Sequence, residues 1–497
     1  MDHRTAIFRK CQLLRRGGWR FARGSAAWHD AGMTQDVSVP LWLLILILGF
    51  AATSFASNFL FPSVRWFLRR RMERWVARLN QRLDRPIDLF KLAERQDRIA
   101  RLAYDPKVLE AVTDHAAEAG IPPQVAFEEA RTYAREIVPG FSTTLYFGVA
   151  IRAARWLTRR LYRVRFGQID TALRGIDPGA TVIFVMNHRS NMDYVLVTWL
   201  VANRASISYA VGEWARIWPF SRFIRAMGAY FIRRGSGNTL YRRVLARYVQ
   251  TATAEGITQA IFPEGRLSLD GQVGTAKLGL LSYILAGFDP KGRDVVFVPV
   301  GLAYDRVLED GLLTKAAASG ERRFRVGPLQ ALRFAGMALL RLTFGRFKGF
   351  GTAAAAFGQP ISLRHYLAEV PDALPEALGL RLMAAISQVV PVVPVPLVAA
   401  ALQDGAGGRA GLIQRATALA GQLSAAGAVL KLAPQGIEAS VDEGVAALTA
   451  RGILAEDLTP IAAQRNLLQF YAASVQQRLG LATPRNIDAV DSPESSP

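Results

Sequence analysis

The chain has 497 residues, 51% of them hydrophobic, and 61 Lys+Arg against 40 Asp+Glu give a formal net charge of +21. Its mean hydropathy of +0.15 is high for a protein that never meets lipid, and the basic balance suits an anionic membrane surface or a nucleic acid. One cysteine, Cys11, excludes an internal disulfide and a cysteine-rich metal site, and the five histidines show no ligand spacing that would hold zinc.

Residues 1–38 form a basic N-terminal extension, with a cluster from Arg4 to Arg23. Val37 to Val64 carries no charged residue, and PLWLLILILGFAA within it is almost continuously apolar. A membrane helix over 39–62 is expected, either spanning the bilayer or seated in it as a shallow anchor. Eight arginines follow between Arg65 and Arg85, whereas Gly24–Val39 has no Lys or Arg. This asymmetry places the downstream chain on the cytoplasmic side of the inner cell membrane. Initiation at Met33 would remove the upstream cluster that opposes this orientation, and mass analysis of the native N-terminus tests it.

Residues 63–140 read as a helical region. Met72, Trp75, Val76, Leu79 and Leu83 follow helical spacing with arginines between them. That pattern fits a helix lying on anionic headgroups, or equally one packed on the next domain. From about residue 160, short β-branched or aromatic runs alternate with helical stretches, which argues for an α/β domain over 141–387. Candidate strands are Thr181–Met186, Ile207–Val211, Tyr230–Arg233, Thr258–Phe262, Val295–Val300 and Ala353–Phe357. Candidate helices include Asn191–Asn203, Thr239–Ala254 and Ala276–Ala286. Residues 388–482 form a helical C-terminal region. At its start Gln388–Leu402 is too short to span a membrane, and Pro391, Pro394 and Pro396 predict that no helix forms there. A disordered tail over 483–497 completes the chain.

Four segments carry chemistry. Asn187-His188-Arg189-Ser190-Asn191-Met192-Asp193 joins an apolar strand to a helix, so His188 sits at a strand end. Asp193 lies one turn into the helix, where it can orient the imidazole as a general base for a hydroxyl. Gly228-Ala229-Tyr230-Phe231-Ile232-Arg233-Arg234 ends a strand in paired arginines, the residue suited to bidentate phosphate binding, although paired arginines alone are ordinarily solvated surface. Phe262-Pro263-Glu264-Gly265-Arg266-Leu267-Ser268 puts an acid, a base and a hydroxyl on one turn. Glu264 there either holds an acceptor hydroxyl or braces an arginine. The fourth, FVPVGLAYDR from Phe297 to Arg306, is a buried strand with a polar end.

In this order and spacing, residues 187–306 resemble the phospholipid acyltransferase superfamily, whose blocks are NHxxxxD, GxxFIxR, FxEGxRS and an apolar strand with an early proline. More narrowly they resemble its glycerol-3-phosphate and dihydroxyacetone-phosphate acyltransferases. FGQPISL from Phe357, the segment VVPVVPVPLVAAAL and the terminal NLLQFYAASV extend the resemblance over most of 120–480. It implies an acyltransferase-type mixed sheet flanked by helices. It also implies transfer of a fatty-acyl group from acyl-CoA or acyl carrier protein to the sn-1 hydroxyl of glycerol 3-phosphate, in phospholipid biosynthesis and among membrane lipids. His188 and Asp193 would be catalytic. Arg233, Arg234, Glu264, Gly265, Arg266 and Ser268 would bind substrate. No metal, no redox cofactor and no nucleic-acid partner is implied. The absence of GxSxG argues against a covalent acyl-serine, so Ser190 is read as substrate-binding or helix-capping. One position departs from the pattern: EGxRS places arginine at 267, where this chain has Leu267, with Arg266 one position early. Dihydroxyacetone phosphate and lysophosphatidate are the alternative acceptors. A catalytically inactive membrane-anchored relative is the alternative from another class.

Overall fold

The computed structural model describes Pro40, Leu48 and residues 95–167, 172–202, 206–212, 220–233, 237–320, 349–403 and 407–481. Contacts divide the chain into two units, Met1–Arg74 and Trp75–Pro497, and the sheet with all its helices belongs to the second. The N-terminal extension, the expected membrane helix but for Pro40 and Leu48, the basic amphipathic stretch after it and the C-terminal tail lie outside the described residues. Among the described residues no helix is long and apolar enough to cross a membrane.

Helices α1 (Arg95–Ala103), α2 (Pro106–Ala119) and α3 (Pro123–Ile137) come first. Local chemistry sets their ends. Asp105 caps α2 by accepting from the Lys107 amide, Pro106 occupies the first turn, and Gly120 stops the helix in the left-handed region at φ 64°. A π-helical stretch, Thr144–Ala150, runs into α4 (Ile151–Leu161). Strands and helices then alternate: β1 (Arg163–Phe166), β2 (Thr181–Met186), α5 (Met192–Val201), β3 (Ser208–Val211), α6 (Phe220–Ala226), β4 (Tyr230–Phe231), α7 (Thr239–Ala254), β5 (Gln259–Ile261), α8 (Gly279–Ala286), β6 (Val295–Tyr304), α9 (Asp310–Ser319), β7 (Thr352–Phe357) and β8 (Ile361–Ser362). Helices α10 (Leu363–Glu369), α11 (Pro375–Val389), α12 (Pro394–Leu402), α13 (Gly408–Ala425), α14 (Ile437–Thr449) and α15 (Arg465–Arg478) complete the fold.

The strands form one mixed sheet in the order β1-β7-β6-β2-β5-β3-β4, with β8 also on β6. From β6 to β4 every neighbour is parallel, whereas β7 and β8 run antiparallel to β6. All six residues of β2 and all ten of β6 are buried, as a sheet covered on both faces requires. Alternation sorts their side chains. Val182, Phe184, Met186, Val298, Val300 and Leu302 join the core shared with α5, α12, α14 and α15. Ile183, Val185 and Phe297 join the one shared with α1–α3, α7 and α11.

The α/β alternation is therefore as expected, with local differences. β6 runs on to Tyr304, past the predicted Val300, because β7 pairs with its second half. β4 stops at Phe231 rather than Arg233. The short strands β1 and β8, too polar or too brief to stand out, were not expected. The prolines that predicted no helix near 394 instead start one. Pro394 is the first residue of α12 and Pro396 lies within its first turn, where a missing N–H removes no intrahelical bond. The Val395 amide, which is present, donates to Asp305 Oδ1 at 2.8 Å.

Candidate active site

Strands β2, β5, β3 and β4 are parallel and end at one edge, the position where open α/β sheets place their ligands. A pocket of about 450 Å³ opens there. His188 follows β2, Val211 and Gly212 end β3, Ile232 and Arg233 follow β4, and Phe262 to Arg266 follow β5. Residues of α7 and α8, among them Tyr241, Arg242, Leu245, Leu280 and Tyr283, close the other wall.

His188 is only 2% exposed, and its ring stacks on Phe262 with centroids 4.1 Å apart. Its Nδ1 lies 2.9 Å from Asp193 Oδ2, which leaves Nε2 for the pocket. The same carboxylate oxygen accepts from the amides of Arg189 at 2.7 Å and Ser190 at 3.0 Å. Asp193 Oδ1 accepts from the Tyr304 hydroxyl at 2.7 Å. Four donors converge on one buried acid, and an acceptor-only carboxylate satisfies them all. The imidazole is therefore held with its proton on Nδ1 and its lone pair on Nε2.

Glu264, read in the sequence as holding an acceptor hydroxyl or bracing an arginine, bonds two backbone amides and interacts with Arg189. It is fully enclosed and does not line the pocket. Its Oε1 accepts the His188 amide at 3.0 Å, and its Oε2 accepts the Gly274 amide at 3.2 Å. Burial raises its pKa to about 7, against which those two amide bonds and then Arg189 pull downward. Ser268 is also turned away from the pocket. Its amide donates to the His188 carbonyl at 3.0 Å, and its hydroxyl donates to the Gln272 carbonyl at 2.8 Å. Gly265, at φ 71°, makes the turn that the 262–268 loop requires. Glu264 and Ser268 thus hold the two ends of the His188 peptide.

The arginines separate. Arg266 lines the pocket, whereas Leu267 packs against the hydrophobic core. The displaced arginine is thus the one that reaches the cavity. Arg233 also lines the pocket, but its guanidinium grips Glu136 through Nε at 2.9 Å and Nη2 at 2.6 Å. That pairing raises its pKa. Arg234 lies outside the described residues. Ser190 accepts from the Met192 amide at 3.2 Å and donates to Glu309 at 2.8 Å. It thus acts at the start of α5 and does not line the pocket.

Several residues of the site had no signal in the motifs. Arg242 and Lys277 add two cations to the lining, and no carboxylate lines it among the described residues. Tyr304 reaches Asp193 from a strand 111 positions away. Asn187 bridges to the next strand, with its amide nitrogen on the Leu302 carbonyl at 2.9 Å and its oxygen on the Leu302 amide at 2.7 Å. Glu309 holds Ser190 and Asn191. Asn187 and Tyr304 lie in the first and fourth of the motif segments, but nothing in those segments assigned them these roles. They became neighbours through strand order. Among the described residues no group of His, Cys, Asp and Glu could hold a metal ion.

Residues 164–303 match the family model described as Acyltransferase. Residues 337–486 match the model of the glycerol-3-phosphate acyltransferase C-terminal region. It is 30% identical over 310 residues to the glycerol-3-phosphate acyltransferase of Shewanella amazonensis, covering 60% of this chain and 36% of that protein. Identity is 29% over 304 residues to the enzyme of the same name from Shewanella frigidimarina, again covering 36% of it. The match thus spans little more than one-third of the length of these curated relatives. A structural comparison finds the 1-acyl-sn-glycerophosphate acyltransferase of Thermotoga maritima, with a TM-score of 0.27 and 18% identity over 59% of this chain and 98% of that one.

Proposed function

We propose that the protein transfers a fatty-acyl group from acyl-CoA or acyl carrier protein to the sn-1 hydroxyl of glycerol 3-phosphate, giving lysophosphatidate. The observation that carries this reading is the imidazole of His188, oriented by Asp193, at a pocket lined by both apolar and cationic side chains. Nε2 takes the proton of the acceptor hydroxyl as its oxygen attacks the thioester carbonyl. The tetrahedral intermediate expels the thiolate, which leaves with the proton from the imidazolium. No covalent acyl-enzyme and no metal is needed. The acceptor phosphate meets Arg266, Arg242 and Lys277, with Arg234 as a further ligand from the sequence motif. Val211, Ile232, Leu245 and Leu280 offer the acyl chain apolar surface. The segment 39–62 anchors the chain in the inner membrane with this pocket on the cytoplasmic side.

The test supplies membranes carrying the full chain with an acyl thioester and, in parallel, glycerol 3-phosphate, dihydroxyacetone phosphate and lysophosphatidate. Glycerol 3-phosphate is expected to give the highest kcat/KM. Transfer to none of the three would leave a non-catalytic lipid-binding relative as the correct reading. His188→Ala is expected to lower the rate by roughly two to four orders of magnitude while the protein still accumulates in membranes. Retained turnover would refute the base assignment.

A further inference from the structure

The helix that leads into the sheet carries an apolar and basic face that faces solvent. Helix α4 buries Ile151, Ala154, Thr158 and Leu161 on one side. On the opposite side Trp156 is 54% exposed and Ala153 is exposed, and Val149, in the π-helical stretch that runs into α4, is 52% exposed. Ala153 and Trp156, three apart, share one face of α4, and exposed Val149 precedes them at the end of the π-helical stretch. Arg152, Arg155 and Arg159 run along the flank of that face, all exposed. Phe166, just beyond on β1, is 50% exposed. No acidic residue occurs between Glu136 and Asp170, a stretch that holds six arginines. Arg152 reaches back to the Gly148 carbonyl of its own helix, and Arg159 lies 5.4 Å over the Trp199 ring.

We infer that this face of α4 lies on an anionic lipid leaflet, Val149 and Trp156 entering the interface and the arginines meeting the headgroups. Tryptophan is the side chain suited to that depth, with an apolar body and one polar N–H. Each arginine near an anionic surface adds electrostatic attraction. A nucleic acid would use the arginines but leave the apolar residues without a partner. A second copy would bring like-charged arginines face to face in a chain of net charge +21. The inference deepens the membrane part of the proposed function and rests on it. It adds a contact made by the catalytic domain itself, separate from the segment 39–62.

The full chain with Cys11→Ser and Trp156→Cys, labelled there with an environment-sensitive fluorophore, tests this. The vesicles are phosphatidylcholine alone, or with about one-third phosphatidylglycerol, each with brominated acyl chains as quencher. A second label site, Val149→Cys, guards against a folding defect at Trp156. Leu380→Cys, on the exposed side of α11 at 72% exposure, is the reference. Quenching at 156 and 149, stronger in the anionic vesicles and absent at 380, is expected. Arg152→Glu with Arg155→Glu should reduce it by roughly twofold or more. Equal quenching at all three sites, or none, overturns the inference. A blue shift without lipid quenching also overturns it, since the face is then covered by protein. The readout needs no turnover and should be unchanged by His188→Ala, so it stands or falls separately from acyl transfer.

Discussion

Asp193 receives four donors, and each decides something about His188. Nδ1 of the imidazole is one. The amides of Arg189 and Ser190 fold the loop around the carboxylate, and Tyr304 fixes its second oxygen. Tyr304→Phe removes one donor with little change in volume, leaving the Asp193 charge less well held at a net cost of about 1–3 kcal/mol. Part of that loss falls on the transition state, where the imidazolium forms. We expect kcat to fall roughly tenfold with little change in acceptor KM, as steady-state kinetics would show. Arg266 makes the opposite prediction. It lines the pocket but takes no part in the proton transfer, so Arg266→Ala should chiefly raise the KM for glycerol 3-phosphate, by roughly tenfold for a lost charged hydrogen bond. A change confined to thioester affinity would contradict its phosphate role.

At the scale of elements, α15 holds the loop behind the histidine. Gln477 donates to the Val273 carbonyl at 2.9 Å and accepts the Val273 amide at 2.8 Å. Gly271, at φ 83°, sits so close to α15 that a Cβ there would lie 1.9 Å from the Phe470 carbonyl oxygen. The amide after Val273, that of Gly274, binds the Glu264 that holds His188. From its other side α15 places Tyr471 and, with Arg451, engages Asp310, the neighbour of the Glu309 that holds Ser190 and Asn191. The helical C-terminal region thus braces the catalytic loop through two routes. Gln477→Ala should leave secondary structure by circular dichroism unchanged and lower kcat several-fold. Small displacements at a reacting group are costly, on the order of a hundredfold for 1 Å. Wild-type turnover in this variant would show that the brace is only structural.

At the scale of the molecule, two carboxyls buried just beyond strand ends couple stability to pH. Burial raises Glu264 to about 7 and Asp305 to about 6. Each binds protons more tightly folded than unfolded, so its contribution is fully present below its unfolded pKa and is lost as pH rises through its folded value. The window runs from about pH 4 to pH 7. For Glu264 the span is on the order of 3 kcal/mol. Urea unfolding across this range should show stability falling with pH from these groups. Glu264→Gln should lower stability at every pH, because its NH₂ must face a backbone amide that the carboxylate accepted, and should flatten the slope. An unchanged slope would mean that Glu264 does not titrate there.

The α/β alternation, the long buried strands, α7 to the residue, and the His188–Asp193 pair were legible in the sequence. Each rests on local chemistry: periodicity, a strand followed by a helix, an acid one turn from a base. Arg266 was visible but looked misplaced, since sequence spacing cannot say which of two adjacent residues faces a cavity and which the core. The α12 prolines misled for a related reason, as a proline breaks or begins a helix according to where the first turn falls. What only the tertiary structure decided is who stands behind the site. Tyr304, Glu309, Gly271 and Gln477 lie between 83 and 289 positions from His188 along the chain. They meet it because β6 pairs beside β2 and because α15 packs on α12 and α9. No local pattern encodes those neighbours; they follow from strand order and from which faces of the sheet must be covered.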